Sequence, residues 1–490
     1  MHVQKAVRPS IKTNFILNFL RVFSAAIVGM LTMPYINRVL GAEYLGKVEY
    51  VNTIINYFVL FSALGIPMYG IREVSKVRDD KEKLFKLVSE LYTILFITTI
   101  ISYLFIFVLV NLSAFSDYRD LIIIMSSMVF LSNIGAEWYF QGIENQKFIT
   151  IRYIIVRFII FFLVFLWIKK SEDYQKYAFL LVILGFGANI INFAFLGYKL
   201  YFQKIKLKGL NLSRHIKPVF TIFLATVSIN IYLQLDIFMI GSISGDKYVG
   251  YYALANKLIR YIISFITIIG AIMLPRLSYL YINDRDQYIF YLKKCFNIMM
   301  MMAIPSSIYF YIFSSDIISL MGGDGFESAI LTMKLLSPLC IIVSIAYFFG
   351  FLILYPQNLE KIYTKATIYS ASFSLAINFV AIRYFQQNGA ATIAVLSELF
   401  AIIMMFIYLK KRRLLNEIFD RNLAKIIIVN IILILLFGGY SFFRNNVDNL
   451  SNFIVRTVVF VILYLFMIYV SKEKNVRDII NQISINKINK

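Results

Sequence analysis

Apolar runs of about twenty residues alternate with short polar segments along almost the whole chain. A helix rises about 1.5 Å per residue, so each run can cross a hydrocarbon layer of roughly 30 Å. Fourteen spans are expected, at roughly 14–36, 48–70, 87–110, 120–141, 151–169, 177–199, 218–241, 250–275, 295–314, 328–355, 366–385, 389–409, 426–443 and 452–471. The pattern predicts an all-α polytopic membrane protein with about 14 transmembrane helices. No segment between spans is long enough to fold as a separate domain.

The first hairpin sets a plan that recurs. Its first helix is expected to end at Pro34-Tyr35, and a polar turn carries Gly41-Ala42-Glu43-Tyr44-Leu45-Gly46. The second run closes at Gly65-Ile66-Pro67, and a basic stretch from Arg72 to Lys86 follows. At an offset of 204, Gly245-Asp246-Lys247-Tyr248-Val249-Gly250 repeats the turn, Asn256 meets Asn52, and Pro275 closes the matching run. Spans 1–6 and 7–12 are therefore expected to be two pseudo-repeated six-helix bundles, both starting from the same side. Paired repeats of this kind place a substrate site between them. The expected division is 1–217 for the N-terminal lobe and 218–424 for the C-terminal lobe. A helix pair with a basic tail completes it at 425–490.

Charge orients the spans. The chain carries 49 Lys and Arg against 27 Asp and Glu, a net charge of +22. In a soluble protein this would suggest nucleic acid. Here alternate loops hold 34 basic residues against nine on the other side, and basic loops mark the cytoplasmic face. Both termini are expected in the cytoplasm, and no nucleic-acid partner is expected. No cleavable signal peptide is expected, because the run after Lys5, Arg8 and Lys12 is too long for one. Cys295 and Cys340 fall in expected helices, and His2 and His215 stand alone in the sequence. That pattern indicates no disulfide framework, metal site or cofactor. The Gly322-Gly323-Asp324-Gly325 cluster lacks the lysine of a phosphate-binding loop, so ATP hydrolysis is not expected.

Candidate chemistry lies in polar residues inside the spans, where each charge costs about 2.5–3.5 kcal/mol by insertion scales. Asn14, Asn18 and Arg21 share one helical face, as do Asn133, Glu137 and Gln141, and Tyr252, Asn256 and Arg260. Asn230 and Tyr232 stand one turn before Gln234 and Asp236. Arg260, Lys257, Arg21 and Arg157 are the cations expected to line a cavity and hold an anion. Arginine suits phosphate because its planar fork makes paired charge-assisted hydrogen bonds. Glu398, Asp236 and Glu137 could couple the cycle to H+ or Na+ if burial raises a pKa. Asn52, Asn56, Asn256 and Gln141 are candidate polar lining residues, although such amides also serve as helix–helix hydrogen bonds. No catalytic residue is expected.

The strings PYINRVLGAEYLGKVEY, ALGIPMYGIREVSKVRDDKEKL, EWYFQGIENQKFITIR, QLDIFMIGSISGDKYVGYYALANKLIR and MLPRLSYLY occur in this order. Across nearly the whole chain they resemble the polysaccharide repeat-unit flippases, including O-antigen transporters. These belong to the multidrug/oligosaccharidyl-lipid/polysaccharide exporter superfamily. The resemblance implies fourteen helices, two six-helix lobes and a cationic cavity. It also implies translocation of an undecaprenyl-pyrophosphate-linked glycan across the bacterial inner membrane. A polysaccharide polymerase and a chain-length regulator are possible partners, and the last two helices could hold the lipid tail. A drug/cation antiporter of the same superfamily is the alternative, but it would call for an acidic cavity. A polymerase or glycosyltransferase would call for a long outer loop, which is absent from the sequence.

Overall fold

A computed structural model describes residues 11–202, 209–411, 421–438, 450–471 and 473 of the 490. Among these, all regular structure is helical. Ten stretches are long and apolar enough to cross a membrane. Two of them, Phe23–Val77 and Glu360–Lys411, are broken at Gly41 and Gln386 and so hold two spans each. The shorter apolar segments Gln234–Ile243 and Asn422–Gly438 complete the expected fourteen. The protein is a multi-pass all-α membrane protein.

Lipid, rather than water, explains the outer surfaces. Helix Lys81–Val110 buries Leu84, Val88, Leu91 and Leu95 along one face. Its other face exposes Phe96, Leu104, Phe105 and Phe107, each by more than 60%. A surface patch of that size would drive aggregation in water, but it is the ordinary state in a bilayer. Polar groups inside the spans find partners across helices, as in the 2.8 Å bond from Asn133 Nδ2 to Thr99 Oγ1.

The first turn is tighter than expected. Helix Ile11–Ala63 runs through Pro34 and breaks only at Gly41, whose φ of 71° and ψ of 173° are non-helical. Residues 42–47, expected in a polar turn, are already helical. Pro34 lacks the N–H that would bond the carbonyl of residue 30, a loss that membrane helices tolerate, and Arg38 Nη1 donates to Pro34 O at 3.3 Å. Pro67 does not end its span either. It begins the helix Ile66–Val77, and Pro275 lies inside Asp246–Asn283.

The repeated hexapeptide now has a physical meaning. Its first glycines, Gly41 and Gly245, both take positive φ, 71° and 100°, a region that costs an L side chain energy. Its last glycines pack backbone to backbone. A Cβ on Gly46 would sit 1.8 Å from Asp246 O, and one on Gly250 would sit 2.0 Å from Ala42 O. Each copy of the turn is thus seated on the other. Tyr50 Oη lies 3.0 Å from Ser242 Oγ beside this contact, and Tyr118 Oη donates to Asp246 Oδ1 at 2.9 Å.

The chain packs as two compact units, Met1–Gly250 and Tyr251–Lys490. In the first, Trp138, Tyr139 and Phe140 join Ile66, Val88 and Leu91 in a buried cluster. Helix Ser213–Ile243 packs on Ile11–Ala63 and Ile66–Val77, although the sequence repeat places it at the start of the second copy. In the second unit, Phe296, Met299, Phe348, Leu352 and Met405 form the core. The C-terminal pair, Arg421–Gly438 and Leu450–Val470, joins this unit through Arg285–Ile312. Tyr464 Oη donates to Met301 O at 2.5 Å there.

Candidate functional site

The first unit draws three spans onto one carboxylate. Span 4 is interrupted between Arg119–Ile134 and Glu137–Gly142, where Ala136 takes a φ of 37°. The break is stabilised from span 6. Asn192 Nδ2 donates to Gly135 O at 2.7 Å, and Asn189 Nδ2 donates to Leu131 O at 3.0 Å. Gly135 is needed for this approach, since a Cβ there would lie 2.1 Å from Asn189 Cγ. Span 6 carries a π-helical turn, Ile183–Gly187, just before those asparagines. Such turns are often found at functional sites.

The break leaves Glu137 at the start of a new short helix, facing arginines from two other spans. Arg21 Nη1 donates to Glu137 Oε1 at 2.6 Å. Gln141 Nε2 donates to the same oxygen at 3.0 Å. Arg152 Nη2 approaches Glu137 Oε2 at 3.9 Å, and Arg152 Nη1 donates to Ala188 O at 2.7 Å. Arg157 stacks on Tyr153, 4.2 Å from the ring centroid, and donates to its hydroxyl at 2.8 Å. Arg21 lies 5.7 Å from that same ring. Two guanidinium groups therefore face one carboxylate within the spans, and a third, Arg157, is held beside Arg21 on the Tyr153 ring.

This arrangement is under-satisfied. The Arg152 side chain is 4% exposed, and its Nε and Nη2, like Arg157 Nε, make no hydrogen bond. A buried donor without an acceptor costs about 1–3 kcal/mol, more when charged. An anion supplying several oxygens would meet these donors, as phosphate groups do with arginine forks.

The expected residues divide between the units. Arg21, Arg157, Glu137 and Gln141 are assembled in the first. Asn52 and Asn56 bond to each other along one helix, at 3.2 Å, and not across helices. Asp236 acts electrostatically on the Tyr57 hydroxyl. In the second unit, Arg260 Nε donates to Asn256 Oδ1 at 3.4 Å, and Lys257 follows on the same helix, half-buried. Glu398 is half-buried and acts on the Tyr363 hydroxyl. Side chains of Asn14, Asn18, Asn230 and Tyr232 lie outside the described residues.

Sequence reasoning missed Arg152, which was assigned to the loop at 142–152. Asn145 held the signal. As an N-cap its Oδ1 accepts from Phe148 N at 3.4 Å, so the helix Gln146–Trp167 starts early and carries Arg152 inside. Glu49 and Glu90 were also overlooked. Both lie within the expected spans near their ends, and both are buried.

Comparison with known proteins agrees with this architecture. The solved structure of "Lipid II flippase MurJ, inward closed conformation" aligns with a TM-score of 0.66 and 15% identity, over 95% of this chain and 99% of that one. An inward-facing MATE family transporter of the MOP superfamily aligns with a TM-score of 0.59 and 14% identity, covering 83% and 96%. The fold is thus shared with these two transporters. Residues 11–281 match the polysaccharide biosynthesis protein family, and the chain belongs to it. A "Putative O-antigen transporter" of Escherichia coli (strain K12) is 24% identical over 390 residues, 79% of this chain and 93% of that protein. One of the same description from Shigella dysenteriae is 23% identical, covering 80% and 98%.

Proposed function

We propose that this protein is a flippase for an undecaprenyl-pyrophosphate-linked oligosaccharide, moving it across the bacterial cytoplasmic membrane by alternating access. The observation that carries the reading is the pairing of Arg21 and Arg152 with the single carboxylate of Glu137, with Arg157 stacked on Tyr153 beside Arg21 and guanidinium donors of Arg152 and Arg157 unused. The pyrophosphate supplies the missing acceptors. Arg260 and Lys257 of the second unit are further candidate cations for the pyrophosphate, and Asn52, Asn56, Asn256 and Gln141 are candidate polar contacts for the glycan. The lobes are 1–217 and 218–424, with both termini cytoplasmic and the helix pair at 425–490 beside the lipid tail. Coupling to H+ or Na+ through Glu398, Asp236 or Glu137, and hand-over to a polymerase with its chain-length regulator, belong to this reading. Family membership and the O-antigen description of the relatives support the polymer pathway.

The test is flipping of a defined undecaprenyl-pyrophosphate oligosaccharide in proteoliposomes. Arg152→Gln should slow it by roughly tenfold or more, since a charge-assisted hydrogen bond is worth about 1.5–3 kcal/mol. Its gel-filtration profile should match wild type. Undiminished flipping by Arg152→Gln would remove the cluster from the substrate site. Transport of a cationic dye in place of the lipid would favour the antiporter reading.

A further inference from the structure

A second basic site lies away from the arginine cluster, at the end of the spans that loop charge assigns to the cytoplasm. A cavity of about 380 Å³ is lined by Tyr69, Lys83, Lys86, Leu87, Arg214 and His215, with Glu73 and Val77 completing the wall. Its frame is rigid. Glu90, fully buried, accepts from Asn211 N at 2.8 Å and lies 3.0 Å from His215 Nε2, and it also pairs with Arg214. His215 Nδ1 lies 2.7 Å from Tyr69 Oη. These bonds fasten Asn211 and the first turn of helix Ser213–Ile243 to helices Ile66–Val77 and Lys81–Val110.

The charges that remain are positive. Glu90 is matched by Arg214. Glu73 is matched by Arg72 and Lys76, each at 2.9 Å. Burial works against the Glu73 charge, but Lys76 and Arg72 outweigh it and hold the carboxyl below its ordinary range. Lys83 pairs with Asp80 from an exposed position. Lys86 has no carboxylate partner among the described residues, and no hydrogen bond engages Arg214 Nη1. The cavity therefore offers an ammonium and a guanidinium edge with their donors available. Its remaining wall, Val77 and Leu87, is apolar, and Leu87 is the first residue of the third span. Cations above an apolar wall, at the border of the membrane, match a lipid phosphate whose chains continue into the bilayer.

We infer that this cavity binds the phosphate head group of an anionic phospholipid from the cytoplasmic leaflet, through Lys86, Lys83 and Arg214. A juxtamembrane lysine or arginine attracts anionic lipid measurably at physiological ionic strength. The bound lipid would brace the segment held by Glu90, and so the start of the seventh span. The inference stands apart from the transport reading, because its test reads lipid binding and not flipping.

The experiment uses the full chain in neutral detergent, titrated with phosphatidylglycerol or phosphatidylcholine, and melting temperature is recorded by intrinsic fluorescence. Lys83→Gln/Lys86→Gln removes two exposed charges from the cavity. Lys361→Gln/Lys365→Gln removes two exposed charges of the second unit. Wild type and the second double variant should be stabilised by phosphatidylglycerol over phosphatidylcholine. The first should need roughly tenfold or more phosphatidylglycerol for the same shift. Equal responses from the two double variants, or no preference for phosphatidylglycerol in wild type, would overturn the inference. Stabilisation by millimolar inorganic phosphate with no lipid preference would overturn the lipid as occupant and leave a soluble phosphate in its place.

Discussion

The seating of one glycine turn on the other can be broken by a single methyl group. In Gly250→Ala the added Cβ would lie 2.0 Å from Ala42 O and 2.8 Å from Ala42 C, where ordinary contact begins near 3.4 Å. Both opposing atoms are backbone, so no side chain can rotate away. The two helix starts must separate by roughly 1.4 Å, the difference between these distances. Overpacking of a close-packed contact costs about 1–3 kcal/mol, which corresponds to about a 5- to 150-fold loss of the closed arrangement. The assay is hydrogen exchange by mass spectrometry on peptides covering 42–50 and 244–252, together with flipping in proteoliposomes. Exchange should accelerate in both segments by that factor, and transport should fall with it. Gly197→Ala is the control, because its Cβ meets open space within a helix and should be neutral or stabilising by about 0.5–1 kcal/mol. Wild-type exchange and wild-type transport in Gly250→Ala would refute the contact as part of the resting protein.

Other outcomes follow from the same structure. Arg260→Ala is expected to abolish polymer export in cells while the protein still inserts, as judged by export and by immunoblot of membranes. Glu90→Gln should lower stability by about 1.5–3 kcal/mol, because Arg214 and His215 lose a charged acceptor, and a lowered melting temperature reads this directly. Burial pushes the Asp246 carboxyl above its ordinary range, opposed by the Tyr118 hydroxyl and by Lys47, and reinforced by Glu43 and Asp117. The folded state therefore holds this proton to higher pH than the unfolded chain. Stability from Asp246 is greatest in acid and declines as pH rises from about 4 through the raised value. Asp246→Asn should flatten that part of the melting-temperature profile, and an unchanged profile would show that Asp246 is not the titrating group.

Hydrophobic periodicity alone determined the number of spans, their order and the all-α class, because only helices and closed barrels satisfy their own backbone in lipid. The hexapeptide echo at Gly41 and Gly245 was legible for a similar reason, since each copy must solve the same turn. Arg21, Arg157 and Glu137 stood out because a charge inside a span is costly enough to need a reason, and Gln141 because it shares a helical face with Glu137. Tertiary structure alone decided which of them meet. Glu137 faces Arg21 and Arg152 because span 4 breaks at Ala136 and asparagines of span 6 stabilise the break, a long-range arrangement without a local signature. Arg152 was hidden because its span was expected from 151, five residues after the helix begins at Gln146, and Glu90 by its place near a span end. Burial and pairing of such groups depend on partners more than 100 residues away, as Glu90 with Arg214 and His215 shows. That dependence is why the positions of charges could be read along the chain, while their company could be read only from the fold.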